Sequence, residues 1–189
     1  MLGFSTSVGR GACALLLALV SCAALDGSRP LEGNALEGAS GGAGYEHARV
    51  GEAWWVALPL VQNRSGAAVE VVDVQVLDMP RGLRAERYGT FDAAKIGGVA
   101  LMARDGDPDV PTGTHDAYAK RPVRMEPGVT STVYPAVKVV VTGEVSGDPS
   151  ECRFTYRRGA DRFTQVLPCG FTLRVEKRPE PEPPTVEEL

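Results

Sequence analysis

Four aspartates in the middle of the chain have the spacing of calcium ligands. They are, in order, Asp105, Asp107, Asp109 and Asp116. The first three stand at alternate positions, and the fourth is twelfth in a loop counted from the first, which is the spacing of an EF-hand loop. That loop requires glycine at its sixth position and prefers glutamate at its twelfth, where this chain has Val110 and Asp116. We therefore predict a solvated acidic turn and no bound metal, with the four aspartates as the alternative, weak calcium site.

The two histidines and the three serines of the predicted domain considered as nucleophiles do not form a motif for catalysis. The chain has two histidines, His47 and His115, and neither has the spacing with cysteines or carboxylates that a zinc site requires. None of Ser65, Ser131 and Ser146 stands in the GxSxG pattern of a nucleophile elbow. We predict a non-catalytic protein without a cofactor. An envelope enzyme of hydrolase type, with an active site assembled from scattered residues, is the alternative.

Alternating apolar residues indicate that β-strands position the candidate aspartate, histidine and serine side chains. Residues 54–61 and 69–77 follow a period of two, which is typical of strands with one buried face. Further short apolar segments are separated by turns that contain Gly or Pro. These segments are residues 83–88, 96–103, 131–134, 137–141, 152–158, 163–168 and 171–175. The pattern predicts an all-β fold, a single antiparallel β-sandwich.

One segment of this domain has a resemblance to a known architecture. Pro127-Gly128 followed by residues 129–141 resembles the late strands of immunoglobulin-like modules in exported bacterial proteins. The resemblance implies an immunoglobulin-like sandwich and assigns no functional residues. The order Cys, Trp, Cys of true immunoglobulin domains is absent, because both tryptophans precede the cysteines of the domain.

The N-terminal segment has the order of a secretory signal. Arg10 is the only charged residue before an apolar run from Ala12 to Val20, and small residues follow. The run is shorter than the roughly 20 residues that a membrane span needs. Leu19-Val20-Ser21-Cys22 resembles the lipobox of bacterial lipoproteins. The resemblance implies that the thiol of Cys22 carries a diacylglycerol, which anchors the protein at the extracytoplasmic face of the cell membrane. Cleavage by an ordinary signal peptidase, which would release a secreted protein, is the alternative.

The cysteine count supports an oxidising compartment. The two cysteines of the first 22 residues are removed or lipidated, which leaves Cys152 and Cys169 as a pair. The residues between them are typical of a hairpin with a four-residue loop. A register that pairs Arg158 with Phe163 places the two cysteines directly opposite each other. We therefore predict a structural disulfide between them.

Composition divides the chain into four parts. Residues 1–21 are the predicted signal peptide, and residues 22–44 are a Gly- and Ala-rich segment that we predict to be a flexible linker. Residues 45–176 are the predicted sandwich domain, and residues 177–189 are a Pro- and Glu-rich tail that we predict to be disordered. The net charge of −4, with interspersed signs, argues against nucleic acid as a partner.

Two surface features are candidates for binding an unknown envelope protein or polymer. Adjacent strand residues point to opposite faces, so Trp55 lies outside the main core if Trp54 lies within it. There it is either an exposed ligand contact or covered by the linker or an edge loop. Four arginines surround the predicted hairpin tip, and they are either contacts for anionic polymers and headgroups or solvated charges. They are Arg153, Arg157, Arg158 and Arg162.

Overall fold

The computed structural model describes residues 29–39, 42–107 and 122–176. The first seven strands are β1 Leu31–Glu32, β2 Leu36–Ala39, β3 Ala43–Ala48, β4 Ala53–Ala57, β5 Leu60–Asn63, β6 Val69–Val76 and β7 Arg81–Asp92. After the helix α1, Ala93–Ile96, follow β8 Met102–Arg104, β9 Val123–Met125, β10 Val133–Ser146, β11 Glu151–Arg158, β12 Asp161–Pro168 and β13 Phe171–Val175. The all-β prediction is confirmed. None of the helical structure in these ranges has the length and hydropathy to cross a membrane.

Two large sheets enclose the main core. One has the strand order β1-β12-β11-β6-β9 and the other β7-β10-β4-β8. Two-stranded sheets, β13-β3 and β2-β5, complete the fold. Apolar side chains from both large sheets meet between them, as a sandwich requires. Fully buried examples are Val56, Val74, Val137, Val139 and Phe154.

Most neighbouring strands are antiparallel, as predicted, but two pairs are parallel. These are β1 with β12 and β3 with β13. In both pairs a strand from the N-terminal part of the chain is added to one from the C-terminal part. The two ends of the described chain are therefore built into the sheets.

The prediction of a flexible linker over residues 22–44 is wrong where the structure describes these residues. Ala35 and Leu36 are buried, and β1 and β2 pair with β12 and β5. The amide of Ala35 donates to the Tyr156 hydroxyl at 3.1 Å, and the Gln165 side chain bonds both backbone groups of Leu36. A Cβ on Gly33 would overlap the Tyr156 hydroxyl, so glycine there serves close approach of the chain to the core.

Some strand boundaries differ from the prediction, and two of the differences lie beside a proline. The first predicted strand is divided into β4 and β5 at Pro59, and Ile96 lies in α1. The two segments on either side of Pro135 form one strand, β10. The Pro135 carbonyl accepts from the amide of Leu58, where β4 has already ended. The missing amide of Pro135 therefore faces Leu58, just beyond the end of β4, and the end of a ladder is where a sheet tolerates proline.

The predicted disulfide between Cys152 and Cys169 is present, with Cα atoms 5.6 Å apart. The predicted register of the hairpin is wrong. Arg158 pairs with Asp161 across a two-residue turn that begins at Gly159, so Cys152 is opposite Leu167. Cys169 lies just beyond β12, and its amide donates to the Ser150 carbonyl at 2.9 Å. The bond therefore joins diagonal neighbours across the end of the hairpin.

Replacing both cysteines, Cys152→Ala with Cys169→Ala, tests the energetic role of the disulfide. In the chain-entropy model, closing a loop of this length contributes about 3 kcal/mol. We expect the variant to lose about 3 kcal/mol of unfolding free energy in urea titrations without reductant. The wild-type protein should lose the same amount when reductant is added, and the variant should be insensitive to it. Equal midpoints for the two oxidised proteins would contradict this role.

Candidate functional site

A second apolar cluster lies on the outer face of the four-stranded sheet. Its buried members are Trp55, Phe91, Tyr134 and Ala136. Trp54 lies in the main core, so the predicted alternation of the two tryptophans is correct. Trp55 is only 3 % exposed, so it is covered and is not a surface contact. The covering chain is the segment around β8, where the amide of Ala100 donates to the Tyr134 hydroxyl at 3.0 Å.

Charged side chains close the open end of this cluster. Arg87 lies over the Trp55 ring, with 4.8 Å from its guanidinium carbon to the ring centroid. The indole N–H of Trp55 donates to Asp105 Oδ1 at 2.9 Å. Lys138 Nζ lies 2.8 Å from Asp105 Oδ2 and 2.9 Å from Glu86 Oε2. We call Trp55, Glu86, Arg87, Asp105 and Lys138 the Lys138 cluster.

Strand register brings the Lys138 cluster together. Lys138 is opposite Trp55 on β4 and opposite Arg87 on β7. The next pair joins Val139 to Ala85, which leaves Glu86 as an extra residue in β7, a β-bulge. A bulge changes the direction of its side chain, and here Glu86 reaches Lys138 on the outer face.

The pKa shifts in the Lys138 cluster keep Asp105 negatively charged and Lys138 positively charged. The hydrogen bond from Lys138 lowers the pKa of Asp105 below 3.8, with smaller contributions from Trp55 and Arg87. Hydrogen bonds to Asp105 and then to Glu86 raise the pKa of Lys138 above 10.5. A lysine that acts as a nucleophile or general base needs a lowered pKa. The Lys138 cluster therefore acts as an ion-pair clamp over the buried Trp55.

The aspartates of the predicted calcium site have different positions. Asp105 belongs to the Lys138 cluster, where protein donors occupy both of its carboxylate oxygens. Asp107 lies two residues further on, and its amide donates to the Arg104 carbonyl. Asp109 and Asp116 lie outside the described residues, as do His115 and Cys22. Within residues 29–39, 42–107 and 122–176 no group of three or more potential ligands is placed to hold a metal ion.

An open groove of about 600 Å³ lies between β3, β4 and β8. The ring of Tyr45 is 4.5 Å from that of Trp54, and Tyr45 is 38 % exposed. Other lining side chains are Met102, Arg104 and Asp107. We call this the Tyr45 groove. Its lining is mainly apolar and aromatic, with one cation and one carboxylate.

The indole N–H of Trp54, on the inner wall of the Tyr45 groove, is buried and makes no hydrogen bond in the part of the chain that the structure describes. The Trp54 N–H lies close enough to the Glu52 carboxylate to help lower the pKa of Glu52, but the two groups do not have hydrogen-bonding geometry. Partial burial raises the pKa of Glu52, and hydrogen bonds from the Arg49 amide and the Arg104 guanidinium outweigh that effect. A buried donor without a partner is uncommon in folded proteins.

A second open groove, of about 730 Å³, lies near the ends of β3, β10 and β13. Its polar lining consists of Glu46, His47, Glu144, Arg174 and Glu176. Arg174 is held by Asp148 in a two-nitrogen ion pair at 2.8 and 3.1 Å. The exposed His47 ring has an edge contact with Tyr45, and its nitrogens make no hydrogen bond among the described residues. The base of a hydrolytic site is usually oriented by such a bond.

Comparison of the chain with protein-family models, with curated proteins and with solved structures found no match. Function is therefore argued from the residues and the grooves themselves.

Replacing Asp105 by asparagine tests the ion-pair clamp. A lowered pKa means that the carboxylate stabilises the folded state fully above its ordinary pKa of 3.8 and loses this effect as the pH falls below it. We expect Asp105→Asn to reduce the unfolding free energy at neutral pH by about 1 kcal/mol, between the values for exposed and buried pairs. The difference from wild type should disappear in strong acid.

Urea titrations at a series of pH values measure this difference. Asp78→Asn, at an exposed aspartate in the turn between β6 and β7, is the matched control and should leave the midpoint unchanged. A deficit of Asp105→Asn that persists in strong acid would show that packing, and not charge, is the contribution of Asp105.

Proposed function

We propose that this protein is an exported, lipid-anchored protein of the cell envelope, whose immunoglobulin-like sandwich binds an envelope protein or polymer without catalysis. The observation on which the proposal depends is Leu19-Val20-Ser21-Cys22 directly after the apolar run. The Cys152–Cys169 disulfide supports it, because such bonds persist in oxidising compartments outside the cytoplasm. Two acyl chains on Cys22 would hold the protein stably at the membrane surface.

The Tyr45 groove is the proposed ligand contact. Binding sites are usually concave and largely apolar, with a few polar groups that orient the ligand. The exposed face of Tyr45 offers a stacking surface, and the Trp54 ring beneath it holds that surface in place. Arg104, whose side chain is 61 % exposed, lies on the rim and offers donors to an acidic or hydroxyl group. These features suit a ligand with a flat apolar face next to a polar group.

Substitution of Cys22 by alanine tests the anchor. In bacterial cells grown with a labelled fatty acid, we expect the wild-type protein to incorporate label and to sediment with membranes. The Cys22→Ala variant should lose both properties, because the thiol that forms the thioether is gone. The double variant Cys152→Ala with Cys169→Ala is the matched control and should keep its label. Labelling of Cys22→Ala at the wild-type level would overturn the assignment to this residue.

Photo-cross-linking in intact cells tests the ligand contact. A photoreactive phenylalanine analogue at position 45 should give a cross-linked adduct of defined mass, because this ring is exposed and lines the Tyr45 groove. The same analogue at Asp78, which is exposed in the turn between β6 and β7 and does not line the groove, is the control and should not give that adduct. Unlabelled wild-type protein should compete for the ligand and reduce the yield of the adduct. Unlabelled Tyr45→Ala protein should fold like wild type and should not reduce it. Equal yields of the adduct from positions 45 and 78 would contradict the proposal that the Tyr45 groove is the ligand contact.

A further inference from the structure

The β11–β12 hairpin is basic in a chain that is acidic overall. Residues 151–168 include four arginines, one aspartate and one glutamate, a net charge of +2, whereas the whole chain has a net charge of −4. Of these arginines, Arg153, Arg157 and Arg162 are exposed, and their side chains form no ion pair or hydrogen bond with the described residues. Arg158 lies over the Phe163 ring at 4.8 Å. The positive charge of the hairpin is therefore not neutralised within the described fold.

The arginines also form a row across the sheet. Arg157 is directly opposite Arg162 on β12 and opposite Glu70 on β6, and Glu70 is opposite Arg124 on β9. Arg124 is paired with Glu126 at 2.9 Å. Like charges directly opposite each other on neighbouring strands are destabilising. The Arg157–Arg162 pair therefore has a cost to folding that an anionic partner would offset.

The N-terminal chain enters the fold beside this hairpin. Strand β1 runs parallel to β12, with Leu31 opposite Phe163, and the amide of Gly33 donates to the Thr164 carbonyl at 2.7 Å. Since β12 runs away from the turn at Gly159, the residues before Leu31 reach the sheet from the side of that turn. Eight residues lie between Cys22 and Leu31. The nine steps from Cys22 to Leu31 span at most about 30 Å even when the chain is fully extended.

Two exposed apolar side chains lie at the same end of the sandwich. Leu31 is 55 % exposed and Val129 is 46 % exposed. Val129 follows β9, which runs antiparallel to β6 and therefore toward the end of the sheet where the hairpin turn lies. We call the hairpin tip at residues 157–162, together with Leu31 and Val129, the basic end of the domain.

We propose that the basic end faces the membrane and that Arg157, Arg158 and Arg162 bind the anionic headgroups of the bilayer in which Cys22 is anchored. This inference depends on the proposed lipid anchor. The acyl chains and the basic end then act on one bilayer, because the short segment from Cys22 holds them close together. Basic residues next to an anionic surface add to the binding that acyl chains provide and lose that effect at high salt. The anchored domain thereby has one defined orientation on the membrane.

A depth measurement tests this orientation. The lipidated protein is purified with a single added cysteine, either Ala160→Cys in the hairpin turn or Asp78→Cys at the other end of β6. Each protein is labelled with a fluorophore and reconstituted into vesicles of phosphatidylcholine alone or mixed with phosphatidylglycerol. A headgroup-attached quencher should quench the label at position 160 strongly in the mixed vesicles and the label at position 78 weakly. High salt should abolish most of this difference.

Charge variants identify the residues responsible. Arg157→Gln with Arg162→Gln should remove most of the quenching at position 160 in mixed vesicles, and its unfolding midpoint in urea should be equal to or higher than that of wild type. Arg81→Gln with Arg84→Gln removes two exposed charges from β7, in the other large sheet, and should leave the quenching unchanged. Equal quenching at positions 160 and 78, or no effect of the hairpin substitutions, would overturn the proposal.

The same proteins and vesicles also distinguish two further outcomes. Absence of fatty acid on purified wild-type protein would refute the proposed anchor, whereas lipidated protein with an unquenched label at position 160 would refute the orientation alone. Binding of a soluble polyanion such as polyphosphate to the arginines, without quenching in mixed vesicles, would assign the basic end to an envelope polymer and overturn the membrane assignment.

Discussion

Strand β10 is the element that joins the two apolar clusters of this protein. Its inward side chains, Val137, Val139 and Val141, are buried in the main core, and its outward side chains Tyr134 and Ala136 are buried in the second cluster. A strand buried on both faces leaves little room for charge. Its outward lysine therefore needs anionic partners, and the bulge in β7 and the segment after β8 supply them.

Much of the strand content could be predicted from local pattern. Strand β6 follows a period of two, and β11, β12 and β13 are short apolar segments bounded by turns; each was expected within about two residues, the usual uncertainty of strand ends. The hairpin register was not predictable in the same way, because it depends on the conformation of one turn residue. Gly159 adopts a positive φ of 63°, which permits a two-residue turn where composition indicated four.

The errors over the N-terminal strands and the site have a common physical cause. Glycine and alanine over residues 31–44 indicate flexibility by composition, yet Gly33 is required because Tyr156, distant in sequence, occupies the space of a side chain. Similarly, alternation placed Trp55 on the correct face, but its cover comes from Asp105, fifty residues away. The Tyr45 groove was missed because Tyr45 stood at the edge of a segment expected to be linker. Local periodicity indicates which face of a sheet a side chain occupies, but not which residues pack against that side chain.

The attachment of the N-terminal chain also determines how the domain responds to mechanical load. From Leu31 to Leu36 the chain runs alongside β12, and its bonds to Thr164, Tyr156 and Gln165 are distributed along that path. Tension on the preceding residues, directed along the hairpin, loads these bonds together in shear and does not open them one after another. The disulfide closes the same hairpin at its far end, so the element that receives the load is covalently prevented from separating.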